Sequence, residues 1–532
     1  MQGKVTPLAA VGEEHVPVPN ETIQRKIISL PDMDAVCTRL RKQGRTIVLC
    51  HGVFDLVHVG HLRHLKAARE FGDVLVISIT ADEYVNKGPD RPAFTAELRT
   101  EFLGSLELVD FVTVVHENSA APALRAVKPH FYVKGDEYAA DENDITGKIV
   151  YERELVESFG GQLVFTHDVT FSSSNLLNKH FPLHDEATKE YLDTLRQSGF
   201  GKKVSQLLGR AADLRVVIVG EAVIDRYVYV APLGKSAKES IIAALQKGEE
   251  MFAGGAVAAA NHLAAICKDV ELISLVGDPR IGETHEDFLR ERLDPSVKVT
   301  FVHRPEGPTV QKTRFVEPTY VRKLFEIYQM DDRSLPEDVQ DEFHAALRSK
   351  IKDADLVIVC DFGHGMISQR TIDILESESR FLAVNAQSNA GNVGYNLIHK
   401  YKRADFICID QMEGWLAVRD RHADTADVAG KLLPEMMDCP NIIVTAGKAG
   451  CFVRERDGRV VKIPSFGNGA VDTIGAGDAF FVIAAPMLAA GADCETAGFM
   501  GNVAGAITIG IVGHRRYLTK LEIQRYVMTL LK

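Results

Sequence analysis

Two short stretches of this chain carry residue types suited to phosphate chemistry. In the first, His51-Gly-Val-Phe-Asp-Leu-Val-His58-Val-Gly-His61, two imidazoles three residues apart straddle Gly60. At a helix start both rings project to one side, and the free backbone N–H groups of the first turn point at the same spot. Such a cluster suits a triphosphate. In nucleotidyl transfer the α-phosphorus becomes five-coordinate, and donors fixed for the added negative charge lower that barrier without a covalent intermediate. Gly60 lets backbone or nucleotide approach closely. In the second stretch, Asp472-Thr-Ile-Gly-Ala-Gly-Asp478, glycines at a loop-to-helix junction offer N–H groups to a transferring phosphoryl group, while a carboxylate can accept a hydroxyl proton. This is kinase chemistry without a Walker loop. Gly234-Lys-Ser236 is no P-loop, because position 229 is Tyr where the upstream Gly would stand and no strand precedes it. As bare patterns, H-x-G-H also fits two exposed helix-start histidines, and the glycine-rich start also fits helix packing; context decides.

The elements that must hold these residues alternate along the chain. A helix-like segment from Pro31 to Gln43 leads to the apolar run Thr46 to Cys50, a buried strand by length and β-branching. Val59 to Phe71 has helical spacing of Leu62, Leu65, Ala68 and Phe71, and strands follow at Asp73 to Ile79, Phe111 to Val115, Phe131 to Lys134 and Gln162 to Thr166. That is a parallel α/β sheet with crossover helices. Pro182 to Asp213 is charged, without a buried-strand signal, and reads as a linker that is helical from Glu186 to Gln197. A second α/β series starts at Leu214 to Gly220 and continues through Leu272 to Val276, Leu356 to Cys360, Phe381 to Val384, Phe406 to Ile409 and Ile442 to Thr445, closing with small-residue-rich helices from Gly475 onward. The expected organisation is a mobile segment 1–34, a nucleotidyltransferase domain 35–181, a linker 182–213 and a kinase domain 214–532, both domains doubly wound α/β.

Composition limits the partners. The 532 residues carry a net charge of -12, which repels nucleic-acid backbone and anionic membrane, and the longest basic stretch is Arg39-Leu-Arg-Lys42. Eight scattered cysteines, never as C-x-x-C, read as buried thiols of a reducing compartment. The first thirty residues lack the apolar core of a signal peptide, and no charge-free run of 18 apolar residues occurs. A cytoplasmic protein without nucleic-acid or membrane partners is expected.

The first region resembles the cytidylyltransferase-like nucleotidyltransferases, most closely the adenylyltransferase half of the bifunctional heptose kinase/adenylyltransferases. The likeness covers roughly residues 35 to 180. It rests on G-x-F-D-x-x-H-x-G-H from Gly52 to His61, the Lys87-Gly88 and Arg91-Pro92 loop, Arg99, Val133-Lys-Gly-Asp136, and Ser172-Ser-Ser-Asn175 before a short helix. The resemblance implies that His58 and His61 stabilise the transition state, that Lys87 contacts phosphates, and that Ser173 and Ser174, with Ser172, grip the β- and γ-phosphates. It also places Gly52, Phe54, Asp55, Gly60 and Arg99 beside the nucleotide and Lys134 beside the acceptor. Three serines stand where the family usually has Ser-Thr-Thr, which keeps the hydroxyls. Lys87 and Arg99 also fit plain solvated surface charges. Asp55 fits two roles equally, orienting a histidine or capping the loop.

Residues from about 214 to 530 look like the ribokinase/PfkB sugar kinases, within them the heptose-kinase branch, through Gly220-Glu-Ala-Val-Ile-Asp225, Gly254-Gly255, Asp410-Gln-Met-Glu413, Thr445-Ala-Gly-Lys-Ala-Gly450 and the Gly475 to Asp478 anion hole. By resemblance Asp478 is the base on the sugar hydroxyl, and Gly475, Ala476 and Gly477 hold the transferring phosphoryl group. Thr445, Gly447 and Gly450 border the nucleotide, as does Asn502, while Asp225, Gly254 and Gly255 face the sugar and Glu413 helps position Mg²⁺. The chain departs from that branch in Glu221 for Asp, Ala258 for Asn, His364 for the Lys of D-Y-x-K-G, and D-x-x-E for N-x-x-E. Losing an amide and a cation puts the acceptor in doubt more than the phosphoryl-transfer machinery. The domain order is also reversed, since the familiar heptose enzyme places its kinase first.

The reading is a bifunctional, Mg²⁺-dependent enzyme. Its C-terminal half phosphorylates a sugar or sugar phosphate with ATP, and its N-terminal half couples a phosphorylated sugar to ATP or CTP with release of pyrophosphate, giving a nucleotide-activated sugar. The alternative is a cytidylyl- or adenylyltransferase for a small alcohol or sugar phosphate, with a degenerate kinase-like half that dimerises or senses a ligand. Homodimerisation through the kinase domain is a further expectation from the resemblance.

Overall fold

In the computed structural model the apolar runs become the central strands of two separate sheets. The structure describes residues 21–85, 88, 91–135, 148–166, 185–467 and 469–531. They divide into two compact units, 21–85 with 91–166, and 88 with 185–531.

The N-terminal unit is built on β1 (Ile47–Gly52), β2 (Val74–Thr80), β3 (Phe111–Val115), β4 (Phe131–Gly135) and β5 (Gln162–Thr166), in the order β3-β2-β1-β4-β5 with every pairing parallel. Successive strand residues serve opposite faces: Ile47 and Leu49 pack with Met33, Val76 and Tyr132, whereas Val48 and Cys50 pack with Leu65, Ile77 and Leu103. The order reverses between β1 and β4, so the carboxyl ends of those two strands frame the crevice where doubly wound sheets take ligands. The helix Val59–Arg69 starts at that crevice.

One expectation is corrected here. Residues 21–34 are part of this unit, not a mobile lead. Ile27 bridges Val112 in parallel, Ile28 N–H donates to the Val112 carbonyl at 2.9 Å, and the helix Leu30–Lys42 buries Met33 and Cys37. The apolar pair Ile27-Ile28 is the signal, outweighed in sequence by the prolines before it. Residues 1–20 lie outside the described residues.

The C-terminal unit carries a nine-stranded sheet, formed by β6 (Arg215–Gly220), β9 (Asp269–Val276), β10 (Val297–His303), β13 (Leu356–Asp361), β14 (Leu382–Ala386), β15 (Phe406–Asp410), β16 (Asn441–Thr445), β17 (Cys451–Arg454) and β18 (Val460–Ile463). The order is β10-β9-β6-β13-β14-β15-β16-β17-β18, parallel from β10 to β16 and antiparallel beyond. A second sheet of four strands, unforeseen in the sequence, has the order β12-β11-β7-β8 from β7 (Ala222–Lys235), β8 (Ile242–Gly255), β11 (Val310–Glu317) and β12 (Arg322–Gln329). The expected linker 182–213 is also corrected. Its helices Glu186–Gln197 and Phe200–Ala211 bury Leu192, Leu195, Phe200, Val204, Leu207, Leu208 and Ala211 in the same core as β6 and the helix Ala476–Ala489. Their charges cover only the outer stripe of two amphipathic helices. No helix of the described residues is long and apolar enough to cross a membrane.

Candidate active sites

At the end of β1 the chain turns through Phe54, which holds a left-handed φ of 51° and sets its ring against His61 at 5.3 Å between centroids. A side chain at Gly52 would press on that ring, with Cβ 3.1 Å away. His58 then caps the helix. Its Nδ1 accepts from Gly60 N–H at 3.1 Å, and His61 Nδ1 accepts from His58 N–H at 3.3 Å, a reciprocal capping box made of two imidazoles. With both Nδ1 atoms accepting, the neutral rings carry their proton on Nε2, as donors. The rings lie 4.0 Å apart, and burial lowers the His58 pKa, which keeps it neutral. Neighbouring His64 bonds Thr166 Oγ1 at 2.7 Å and is pushed down to about 4 by burial and then by Lys134. Lys134, at the end of β4, pairs with Glu152 at 3.2 Å.

Two N-terminal residues serve the loops around the site, and for Asp55 this is one of its two expected roles. The Asp55 carboxylate accepts from Arg91 at 3.0 Å and from the Ala93 and Phe94 N–H groups at 2.5 and 3.3 Å, so it caps the 91–94 loop and does not orient a histidine. Arg99 is neither a surface charge nor aimed at a ligand. It is 2% exposed and donates to the carbonyls of Phe94, Val53 and Thr80 and to the Asp82 carboxylate, at 2.9, 2.5, 2.8 and 2.5 Å. Its guanidinium ties the loops after β1 and β2 together. Lys87, Ser172, Ser173 and Ser174 lie outside the described residues.

In the C-terminal unit a cavity of about 480 Å³ is lined by Thr445, Gly447, Gly450, Glu413, Gly475, Ala476, Gly477, Asp478 and Asn502 together with Gln387 and Asp410. The local sequence explains the floor. Gly475 adopts φ 76° just before the helix Ala476–Ala489, and a Cβ there would strike the His514 ring. The first-turn N–H groups therefore face the cavity unobstructed. Asp478 receives a short hydrogen bond from Gln387; burial pushes its pKa up to about 6, against that bond, with Asp225 adding to the rise. Glu413 is pushed up to about 7 by burial even though it accepts from Ser388 and Asp410 N–H at 2.9 and 2.8 Å. Behind the loop Asp472 accepts from Tyr227 at 2.8 Å, Lys323 at 2.5 Å and the N–H groups of Gly513 and Ile474, which anchors the approach to the glycines.

Asp225, Gly254 and Gly255 lie on the four-stranded sheet. Asp225 pairs with Arg314, and a Cβ at Gly254 would strike its carboxylate. The four departures are all internal or capping. Glu221 is buried and accepts from Phe362, His364 and Met366 N–H at 3.1, 3.0 and 3.4 Å, holding the turn after β13. Ala258 is a fully buried helix residue, and Asp410 caps the helix Gln411–Val418. His364 is 1% exposed, and among the described residues neither ring nitrogen has a hydrogen-bond partner. Sequence reasoning missed Gln387, Lys312, Arg314 and His514. For Lys312 and Arg314 the alternation Lys-Thr-Arg was a signal for one face of a strand; for Gln387 nothing but its place past a strand end pointed inward.

Both units are similar in sequence to known proteins. The model of the pfkB family carbohydrate kinases matches residues 213–520, and that described as cytidylyltransferase-like matches residues 49–179. The chain is 37% identical over 153 residues to the "Bifunctional protein HldE" of Desulfatibacillum aliphaticivorans, covering 28% of this chain and 30% of that protein. It is 33% identical over 181 residues to the protein of that name from Trichlorobacter lovleyi, covering 33% and 34%. The matched stretch thus spans about a third of the length of these relatives. Among solved structures, a ribokinase from Thermotoga maritima is 20% identical with TM-score 0.47, covering 59% of this chain and 99% of its own. Phosphofructokinase-2 from Escherichia coli is 14% identical with TM-score 0.48, covering 60% and 100%.

Proposed function

The chain belongs to the pfkB family of carbohydrate kinases, and from that premise we propose that it is a bifunctional enzyme making a nucleotide-activated sugar of the ADP-heptose kind. The C-terminal unit phosphorylates a sugar or sugar phosphate with ATP; the N-terminal unit couples a phosphorylated sugar to ATP or CTP. The observation that carries the first step is Asp478, a carboxylate with its pKa raised to about 6 at a glycine-lined helix start in a 480 Å³ cavity. Ionised at neutral pH yet close to its titration point, it takes the proton of the acceptor hydroxyl as that oxygen attacks the γ-phosphorus, and the bond to the β–γ bridging oxygen breaks to release ADP. The N–H groups following Gly475 receive the charge of the transferring group.

In the second step an acceptor phosphate oxygen attacks the α-phosphorus and pyrophosphate leaves. Phosphate needs no base at neutral pH, so the work falls to donors. The Nε2–H groups of His58 and His61, fixed by their Nδ1 bonds, meet the added charge. The described residues hold no cluster of three metal-ligating side chains. Mg²⁺ held by nucleotide phosphates needs only one or two protein carboxylates, and Asp410 and Glu413 at the cavity wall fit that demand. Bound there, the ion would neutralise phosphate charge and hold Glu413 ionised.

Eight free, buried thiols support a cytoplasmic setting. A homodimer is supported by the ribbon at the far ends of β7 and β8. Among the described residues no third strand flanks this ribbon past Tyr229, yet it exposes Leu233, Ile241, Ile242 and Leu245, a state in which a lone hairpin is only marginally stable.

The test is purified protein with heptose, hexose and pentose acceptors, free and phosphorylated, with ATP or CTP, following ADP and pyrophosphate separately. Asp478→Asn is expected to remove ADP release about 100-fold or more while sparing pyrophosphate release, and His61→Ala the reverse. Pyrophosphate release alone across the whole panel would replace this reading with a single nucleotidyltransferase carrying a non-catalytic kinase-like half.

A further inference from the structure

The four-stranded sheet reaches the glycine loop of the C-terminal cavity through one buried carboxylate. Asp472, whose side chain is fully buried, accepts from Tyr227 of β7 at 2.8 Å, from the Lys323 ammonium of β12 at 2.5 Å, and from the N–H groups of Gly513 and Ile474 at 2.9 and 3.1 Å. Burial works against ionisation, yet Lys323 first, then Gly513, Ile474 and Tyr227, hold the carboxyl below its ordinary range. Of these four donors Lys323 alone carries a charge. Ile474 precedes Gly475, and His514, next to Gly513, is the ring that a Cβ on Gly475 would strike. Two of the four bonds therefore end beside the first glycine of the loop.

Lys323 reaches Asp472 through two local irregularities. On β11 the residues Lys312, Arg314 and Val316 share the inner face of the sheet, the one that carries Tyr227 of β7. Pairing with β12 runs Arg314 to Glu326 and Phe315 to Phe325, then skips Leu324 and resumes with Val316 to Lys323. In a regular strand Leu324 would point inward and Lys323 outward. The bulge reverses this, leaving Leu324 38% exposed and turning the ammonium onto Asp472. Just before it Val321 holds a left-handed φ of 52°, which a β-branched residue rarely adopts. Its side chain packs with Tyr227, Phe252, Val316, Ile474 and Val512 in a small apolar cluster that seats the sheet on the glycine loop. A strained turn and a bulge beside one lysine persist only where the surrounding contacts fix them, and the contact they deliver is the pair with Asp472.

We propose that Lys323 is a positioning residue for phosphoryl transfer: acting through Asp472, it holds residues 472–477 in the geometry that receives the transferring group. This rests on the kinase reading of the C-terminal unit. A shift of that loop by about 1 Å misplaces its N–H donors and costs on the order of 100-fold in rate, while the cavity walls that bind the two substrates stay in place.

The experiment compares wild type, Lys323→Met and Lys323→Arg. It reads kcat and KM for ADP release with ATP and the heptose, hexose and pentose acceptors, free and phosphorylated, and, in the absence of ligand, amide hydrogen exchange over 472–477. In Lys323→Met the expected kcat is lower by roughly 10- to 100-fold, with the KM for ATP and for acceptor within about threefold of wild type. Exchange over 472–477 should be about tenfold faster or more, and unchanged in the strands of the nine-stranded sheet. Lys323→Arg keeps the charge and should recover most of both. An unchanged kcat, a loss carried by KM, exchange that quickens throughout the unit, or a Lys323→Arg no better than Lys323→Met overturns the proposal. If wild type releases no ADP from any acceptor, the kinase reading fails by itself; faster exchange confined to 472–477 in Lys323→Met and reversed in Lys323→Arg then upholds the hold of Lys323 on the loop, and unchanged exchange there overturns it.

Discussion

In the proposed reactions the two sites handle phosphate from opposite ends of acid–base chemistry. In the N-terminal unit, two histidines are turned into fixed neutral donors by giving their Nδ1 atoms to backbone N–H groups. In the C-terminal unit, a carboxylate is made into a base poised near neutrality by enclosure, with its pKa at about 6. The difference follows from the nucleophile each proposed step uses: a phosphate oxygen is already anionic, whereas a sugar hydroxyl must lose a proton. Both candidate sites lie at a helix start, but only the proposed kinase step needs a group whose proton affinity is tuned.

The strongest way to break this comparison is at the support of the N-terminal site. If Arg99 serves the loops and not a phosphate, Arg99→Met leaves three carbonyls and the Asp82 carboxylate without their donor. The expected loss is about 3–5 kcal/mol in the stability of that unit, seen as an early separate transition in a denaturant melt. The ATP KM for pyrophosphate release in the remaining folded fraction should stay near wild type. An unchanged melt with a KM raised tenfold would return Arg99 to the nucleotide.

Arg99 also marks where the sequence stopped being legible. An arginine at that spacing has the same letter whether it binds a phosphate or three carbonyls, and only burial separates the two. The parallel strands were legible because burial on both faces writes continuous apolar runs such as Val216 to Val219. The four-stranded sheet was not. Its inner face holds Asp225, Lys312, Arg314 and Glu326 and its outer face exposes Phe325 and Ile327, so neither apolar run nor clean alternation survives. The helices 186–211 were hidden by outer-face charge, and Gln387 acts through a contact with Asp478, distant in sequence, that no local pattern encodes. The H-x-G-H and Gly-Ala-Gly-Asp loops were legible because a loop followed at once by a helix brings their groups together locally.

A second way to sharpen the contrast is pH. Asp478 acts as a base only when ionised, so ADP release should fall as pH drops through about 6, approaching tenfold per unit below it. Burial lowers the His58 pKa, so loss of pyrophosphate release through protonation of this group should set in at lower pH than for an ordinary histidine. Gln387 sets the position of the first limb. Its donated bond favours the charged carboxylate, so Gln387→Leu should move that limb to higher pH by roughly one unit and leave the pyrophosphate profile in place. A limb that stays put would show Asp478 is not the titrating base. Simultaneous movement of both profiles would mean the two chemistries share a common step.

The smallest expected effect concerns what the two units expose. In the kinase unit Ile242 is 78% exposed at the tip of the β7–β8 ribbon, and Phe325, stacked on Phe315 at 4.5 Å, lies exposed on the outer face of the same sheet. Two apolar patches on one chain are self-complementary under a two-fold axis, where each copy's ribbon meets the other's sheet. Ile242→Asp places a charge at the centre of that contact without touching the cavity floor. The expected outcome is a monomer by light scattering at concentrations where wild type is a dimer, with ADP and pyrophosphate release both within about twofold of wild type. If wild type is itself monomeric, the ribbon stands alone in solution. If the variant dissociates and loses ADP release while keeping pyrophosphate release, then the base-driven site depends on its second copy and the donor-driven site does not, which would make the pairing of kinase units a condition of the proton-removing chemistry alone.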